Sequence, residues 1–246
     1  AYPAAVLADK PSLYWRLGES AAPVVADSSP NDVPGLAYGT ATRGVAGAVG
    51  DSSTALASNG TNSFVATTTP VATPSTYSTE AWFKTTSTSG GKIIGFGDVA
   101  GTRTFSGPYG ESGNYDKQVY MTNDGRVVYG VFSDGFKTVT TPTAYNDGAW
   151  HQVVATQGPR GMVLYVDGVK VGSNGTTTSQ SFNGYWRVGG DSLAFWPEQP
   201  ASDFFTGTID EVAVYPAALS AAAVNRHWTA AGRSAAPSTT PTDDYG

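Results

Sequence analysis

Short runs in which apolar and polar residues alternate dominate the chain, and most end on a Gly-containing turn. A period of two marks a strand with one buried face. Val119–Thr122, Val127–Phe132 and Lys137–Thr141 are separated by Asp124-Gly125 and Asp134-Gly135 and predict a meander. Ala149–Thr156, Met162–Val166 and Val169–Val171 form a second set, joined through Gly158–Gly161 and Asp167-Gly168. Asp-Gly between such runs signals a hairpin, because both central residues of a type I′ turn need φ > 0. Met162, Leu164 and Val166 share one face of their run, Val163 and Tyr165 the other. Further strands are expected at Ser12–Leu17, Gly35–Gly39, Asn62–Ala66, Ser78–Thr85, Lys92–Gly97, Tyr185–Gly189 and Phe205–Tyr215. Helical signals occur in two places. Tyr2–Asp9 fits a short turn of helix, and Ser220–Ala231 has Ser220 as N-cap and Gly232 as stop. Many short strands, no βαβ alternation and one terminal helix predict an all-β fold of two packed antiparallel sheets.

Composition narrows the function classes. The 246 residues include no Cys, which excludes disulfides, Cys-ligated zinc and thiol catalysis. The formal net charge is −6 and Lys and Arg are not clustered, which argues against nucleic acid as a partner. No 18-residue apolar run exists, so no membrane insertion is expected. Abundant Ser and Thr with scarce Lys fit an exported bacterial protein, secreted or at the cell surface. Ala1 in place of an initiator Met marks a mature or excised segment, and no signal peptide remains. Asn-Gly-Thr triplets at Asn59 and Asn174 are then turns, not glycan acceptors. Residues 1–233 make one domain; the Pro/Ser/Thr-rich stretch 234–246 is a linker or tail, which implies tethering to other domains.

Four stretches carry a family resemblance: SLYWRLGES (Ser12–Ser20), STEAWFKT (Ser78–Thr85), WHQVVATQ followed by MVLYVDGVKVG (Trp150–Gly172), and FFTGTIDEVAVYPAALSAA (Phe204–Ala222). In this order they resemble the laminin G-like, concanavalin A-like jelly-roll domains of bacterial secreted proteins. The resemblance implies a two-sheet antiparallel jelly roll with a short C-terminal helix, with Trp15, Trp82 and Trp150 as core anchors. Lectins, carbohydrate-binding modules, adhesion domains and glycoside hydrolases all use this jelly roll, so the fold alone does not choose among them.

Hydrolases of this fold carry paired carboxylates on one strand, set to flank a glycosidic bond about 5 Å apart. The chain has Glu19, Glu80, Glu111, Glu198 and Glu211, and none heads a Glu-x-Asp-x-x-Glu pattern. Asp210 and Glu211 are adjacent, so strict alternation sends them to opposite faces. There is no Gly-x-Ser-x-Gly elbow to pair with His151 or His227, which are expected to be packing or surface residues. No catalytic residues are assigned.

The oxygen-rich loop Ala26–Gly35 resembles the family's Asp-x-Ser-Gly-Asn-Gly loop, with Pro30 in place of the first Gly. In calcium-binding relatives this loop and the Asp of Gly-x-Ile-Asp-Glu-Val close on one ion. The resemblance implies a structural calcium ion on Asp27, Asn31 and Asp210; the alternative is an Asx-turn with Asp27 bonded to its own backbone.

Sugar recognition combines flat aromatic faces with side chains that hydrogen-bond hydroxyls. Two long loops have that mix. Gly97–Lys117 carries Asp98, Arg103, Tyr109, Asn114 and Tyr115, and Gly184–Phe205 carries Trp186, Arg187, Asp191 and Trp196, with Phe195 a further aromatic of that loop; the alternative reading is that Phe195 and Trp196 plug an end of the sandwich. Long loops in a compact domain are usually functional. The expected function is non-catalytic binding of a polysaccharide or glycan through these loops. The alternatives are a protein–protein adhesion or phage-fibre structural module and, less favoured, a glycoside hydrolase with an atypical carboxylate site.

Overall fold

The computed structural model describes residues 1–21, 23–101 and 110–235. Its first half runs α1 (Tyr2–Ala8), β1 (Leu13–Trp15), β2 (Val24–Val25), β3 (Gly35–Tyr38), β4 (Thr42–Ala46), β5 (Thr54–Asn59), β6 (Phe64–Thr67), β7 (Tyr77–Lys84) and β8 (Gly91–Gly97). The second half runs β9 (Tyr115–Met121), β10 (Val127–Phe132), β11 (Phe136–Thr140), β12 (His151–Gly158), β13 (Gly161–Val166), β14 (Val169–Asn174), β15 (Tyr185–Val188), β16 (Thr206–Tyr215) and α2 (Ala221–Ala230).

The strands form two antiparallel sheets. The first has the order β14-β13-β12-β7-β16-β5-β4, with β1 added on β16, and the second the order β11-β10-β9-β8-β15-β6-β3-β2. These are the two antiparallel sheets that the sequence patterns predict, in the jelly roll that the family resemblance implies. Sequence neighbours pair as hairpins, whereas β16 returns from the end of the chain to lie between β5 and β7. The expected meander is β9-β10-β11, and β12-β13-β14 is the second hairpin set.

Of the three Asp-Gly turns expected to join strands, two have both residues at positive φ: Asp134 and Gly135 at 50° and 106°, Asp167 and Gly168 at 53° and 78°. At the third, only Gly125 is left-handed, at 85°, and its N–H closes onto the carbonyl of Thr122 at 3.0 Å. That loop therefore turns with Gly at its last position, as in a type I turn.

Inward alternation fills the space between the sheets. Met162, Leu164 and Val166 lie in the inter-sheet core with Trp15, Ile94, Phe96, Val119, Tyr129 and Ile209. Val163 and Tyr165 face the other way, toward a second cluster on the outer side of the first sheet. Trp82 stacks there on Trp228 at 5.4 Å, under α1 and α2. Trp150 is partly buried at the edge of this cluster rather than a central anchor.

Ser220 caps α2, its side chain accepting from the Ala223 N–H. Beneath the helices, fully buried Glu80 accepts from Tyr2 Oη (2.7 Å), Tyr215 Oη (2.7 Å) and Gln152 Nε2 (2.6 Å). His227 Nδ1 lies 2.9 Å from Glu80, and its Nε2 lies 2.8 Å from Asp9. Burial opposes both charges, yet the pairing wins: Glu80 is held below the usual carboxylate range and His227 is raised. His227 is therefore an ion-pair residue of the core.

The strict alternation expected at Asp210-Glu211 is broken by a β-bulge. The register shifts between Asp210 and Ala213, and Glu211 sits at φ 50°. Asp210 accepts from the Ala48 N–H, and Glu211 accepts from Tyr14 Oη and Arg16, all on the outer side of the sheet. The bulge thus corrects the opposite-face expectation. Both carboxylates are fully buried, and burial, reinforced by the Glu211 charge, pushes Asp210 up to about 8.

Candidate functional site

The outer face of the second sheet is covered in part by the segment between β15 and β16. Gly130 on β10 makes this possible: a Cβ there would sit 2.5 Å from Trp196 Cζ3, so only glycine lets the indole lie against the strand. Trp196 is 3% exposed and contacts Tyr120 and Phe136 edge-on, at 6.4 and 5.0 Å.

Beside Trp196 lies a groove of about 160 Å³. One wall is the β10-β11 hairpin, where Phe132 and Phe136 are cross-strand partners with rings 5.2 Å apart. The second wall is Gly113, Asn114 and Tyr115 at the entry to β9, and Gln180 closes one side. The third wall is the turn Leu193–Trp196, closed by Trp196 N–H onto the Leu193 carbonyl at 3.1 Å. Tyr115 Oη donates to the Ala194 carbonyl at 2.9 Å and fastens this turn to β9.

Phe195 occupies the third position of that turn at φ 69° and is 84% exposed. Both features are unfavourable for folding. A non-glycine residue in the left-handed region costs about 1–2 kcal/mol, and a ring this exposed gains little from burial. Strain without a packing return points to a functional site. Phe136, 41% exposed, is the other large exposed ring on the groove.

The groove's polar groups are fixed from behind. Asp98 accepts from the Gly113 N–H (2.9 Å) and Asn114 Nδ2 (2.7 Å), which orients the Asn114 carboxamide. Asp116 Oδ1 accepts from the Phe132 N–H and Oδ2 from the Gln180 N–H, at 2.8 and 2.6 Å. Burial raises Asp116 and pulls neighbouring Lys117 down to about 8, their mutual attraction opposing both shifts. Lys117 Nζ turns inward onto Ser179 Oγ and the Gln180 carbonyl.

Of the expected ligand residues, Asn114, Tyr115 and Trp196 meet in this groove, and Asp98 supports it. Three others are corrected. Trp186 is 3% exposed and packs in the inter-sheet core against Tyr77 and Phe96, because it is an inward residue of β15. Arg187 is fully buried over the Phe64 ring at 3.9 Å and donates to the Val99 and Gly110 carbonyls. Asp191 is fully buried and accepts from the N–H and Oγ of Ser112. Arg187 and Asp191 thus bind together the feet of the two long loops instead of facing solvent. Arg103 and Tyr109 lie outside the described residues.

Sequence reasoning missed Phe132, Phe136 and Gln180, and it placed Phe195 in the loop without assigning it to the site. Two Phe flanking Ser133-Asp134-Gly135 are a legible signal, since a tight turn makes its flanking residues cross-strand neighbours.

The residues proposed for calcium do not fit a shared ion as arranged. Asp27 Oδ1 accepts from the N–H groups of Tyr14 and Ser29, and Oδ2 from Ser29 Oγ and the Val33 N–H. Asn31 Nδ2 donates to the Pro11 and Ser12 carbonyls. Asp210 accepts from the Ala48 and Glu211 N–H groups. Both carboxylates face donors, in two separate hydrogen-bond sets. Asp27 is the hub of an Asx-type loop.

A larger hollow of about 560 Å³ lies elsewhere, lined by Lys84–Ser89, Gly148 and Thr206–Thr208. It has hydroxyl groups but no aromatic ring among its lining residues.

An antiparallel jelly roll with an aromatic groove on one sheet places this protein among the lectin-like sandwiches. The chain belongs to the concanavalin A-like lectin/glucanases superfamily, whose sequence profile matches residues 59–225. It resembles domain 4 of AbnA, a GH43 extracellular arabinanase from Geobacillus stearothermophilus solved with arabinotriose. The TM-score is 0.61 at 19% identity, over 89% of this chain and 98% of that domain. It also resembles the botulinum neurotoxin DC binding domain solved with rat synaptotagmin II (TM-score 0.64, 11% identity, 92% of this chain and 52% of that one). A further match is botulinum neurotoxin type C, described as entering cells through two ganglioside molecules (TM-score 0.63, 12% identity, 92% and 52%). The chain thus spans about half of the neurotoxin structures. At these identities the likeness shows the fold. No curated protein sequence matches the chain.

Proposed function

We propose that this protein is a non-catalytic carbohydrate-binding module of an exported bacterial protein, and that its sugar sits in the groove beside Trp196. Phe195 carries the proposal: a ring 84% exposed and held left-handed has a ligand's face to meet and no neighbour to pack on. Sugar rings stack their C–H faces on such surfaces, and Asn114 and Gln180 supply hydrogen-bonding amides beside it. The described residues that line the groove include no carboxylate, whereas glycoside hydrolysis needs two flanking one bond. The adjacent pair Asp210 and Glu211 is buried and committed to internal partners.

Affinity electrophoresis through gels containing arabinan, xylan, mannan or glucan tests this function. Retardation is expected in at least one polysaccharide, abolished in a Phe136→Ala/Phe195→Ala double variant whose circular dichroism spectrum shows that it remains folded. Free migration in every gel, or equal retardation of the variant, would overturn it. Product release from the retaining polysaccharide would overturn the non-catalytic part.

A further inference from the structure

We infer that the groove selects a neutral sugar residue and discriminates against acidic glycans; this rests on the carbohydrate-binding function proposed above.

The first ground is the character of the lining. Tyr115, Phe136, Phe195 and Trp196 contribute rings, and Asn114 and Gln180 contribute uncharged amides. Among the described residues, no lining side chain is ionised. Capture of a carboxylate or sulfate ester calls for a cation, best a guanidinium with its paired donors.

The second ground is where the neighbouring cations go. Lys117 turns away beneath Gln180, lying 5.6 and 5.8 Å from the Tyr77 and Phe96 ring centroids, with its ammonium on Ser179 and the Gln180 carbonyl. Lys92 is fully buried with Asp191 3.8 Å away. Arg187 is spent on backbone carbonyls beneath the long loops. Lys137 follows Phe136 on β11 and alternates to the other face of that strand.

The third ground is the sign of what remains. Asp98 stands behind Asn114 and Asp134 in the turn between the two Phe residues, while Asp116, behind the Phe132 and Gln180 backbone, is balanced by Lys117 at 3.9 Å. Because Asp98 holds Asn114 Nδ2, it leaves Oδ1 without a hydrogen bond among the described residues. A sugar hydroxyl can donate to that oxygen, whereas a carboxylate would meet it acceptor to acceptor. The surrounding field and the chain's net charge of −6 add like-charge repulsion to any anionic approach.

Size restricts the occupant further. At about 160 Å³ the groove is well under the ~300 Å³ at which drug-sized pockets begin. It takes one ring of a glycan, with the rest of the chain outside.

The test is titration calorimetry of the whole chain with matched probes: lactose against 3′-sialyllactose, galactobiose against digalacturonate, and neutral tri-arabinose, tri-xylose and tri-mannose. The wild type, Phe195→Gly and Gln180→Arg are compared. At least one neutral probe should bind, with an affinity unchanged between 50 and 500 mM salt and reduced at least tenfold in Phe195→Gly. Acidic partners should bind at least tenfold more weakly than their neutral counterparts, and Gln180→Arg should narrow that gap. An acidic probe that binds as tightly as its neutral partner and loses affinity in Phe195→Gly would overturn the selectivity while keeping the groove as the sugar site. Binding indifferent to Phe195→Gly, or absent throughout, would overturn the carbohydrate function itself.

Discussion

Replacing Phe195 with Gly separates a residue kept for binding from one kept for folding. Phe195 is 84% exposed, so about a sixth of the side chain is covered. For a ring that can bury roughly 200 Å², that is ~30 Å², worth under ~1 kcal/mol at about 25 cal/mol per Å². Against this loss, glycine removes the left-handed penalty of about 1–2 kcal/mol at φ 69°. Glycine also adds about 0.5–1 kcal/mol of chain entropy to the unfolded state. The sum leaves stability within about 1 kcal/mol of wild type, an unusual outcome for deleting a phenylalanine. Binding behaves differently. A sugar stacked on one face covers roughly half of the exposed ring, ~80 Å², worth ~2 kcal/mol, or about 30-fold in affinity. Urea unfolding and calorimetry on the same preparation give both numbers. Destabilisation of 3 kcal/mol or more would show that Phe195 is a packing residue. An unchanged affinity would remove it from the site.

Other consequences follow from the same contacts. Gly130→Ala drives a methyl into the Trp196 indole, where the present clearance is 2.5 Å; overpacking should cost about 1–3 kcal/mol and shift the Trp196 fluorescence, and a silent substitution would refute the close contact. His227→Gln should cost about 3 kcal/mol near pH 6 by breaking a buried pair. The sign with pH is fixed by the two shifts. The raised His227 contributes fully below its unfolded value of 6.5 and loses its contribution as pH rises through its folded value; the lowered Glu80 contributes above 4.5 and loses it on acidification. The contribution of this pair to the melting temperature should therefore be greatest between about pH 4.5 and 6.5. The variant should lose part of the alkaline decline, the rest coming from other raised groups that include His151 and Asp210, and an unaltered pH profile would contradict the pairing. Because Asp27 and Asp210 face hydrogen-bond donors, a chelator should leave the melting temperature within about 1 °C of its untreated value. A drop of several degrees that is lost in an Asp27→Asn variant would restore calcium to this pair.

The fold was largely legible because alternation and turn chemistry act over a few residues. The hairpins around Asp134-Gly135 and Asp167-Gly168, the two faces of β13 and the Ser220 cap all rest on such local rules. Strands β2, β4 and β5 escaped notice. Val24–Val25 is only a pair, Thr42–Ala46 lies at a sheet edge with alternate residues exposed, and Thr54–Asn59 is built from small residues with weak strand preference. The bulge at Glu211 was invisible because nothing in Ile-Asp-Glu-Val announces a left-handed glutamate. The site was legible in part. The aromatic loops pointed to Tyr115 and Trp196, but Trp186 belongs to β15, where strand alternation turns it into the inter-sheet core. Gln180 and the Phe132–Phe136 pair reach the groove through tertiary pairing: Gln180 is tied to Asp116, 64 positions earlier in the chain. Phe195 was seen as an aromatic loop residue; its backbone strain and its exposure, which mark it, exist only in the folded chain.

The most direct measurement is a crystal of this chain soaked with a neutral oligosaccharide that it retains in affinity gels. One sugar ring should lie against Phe195, with Phe136 as a second aromatic contact and Asn114 Oδ1 accepting from a hydroxyl. A ring bound instead in the Ser- and Thr-lined hollow at Lys84–Ser89, with the aromatic groove empty, would contradict the assignment.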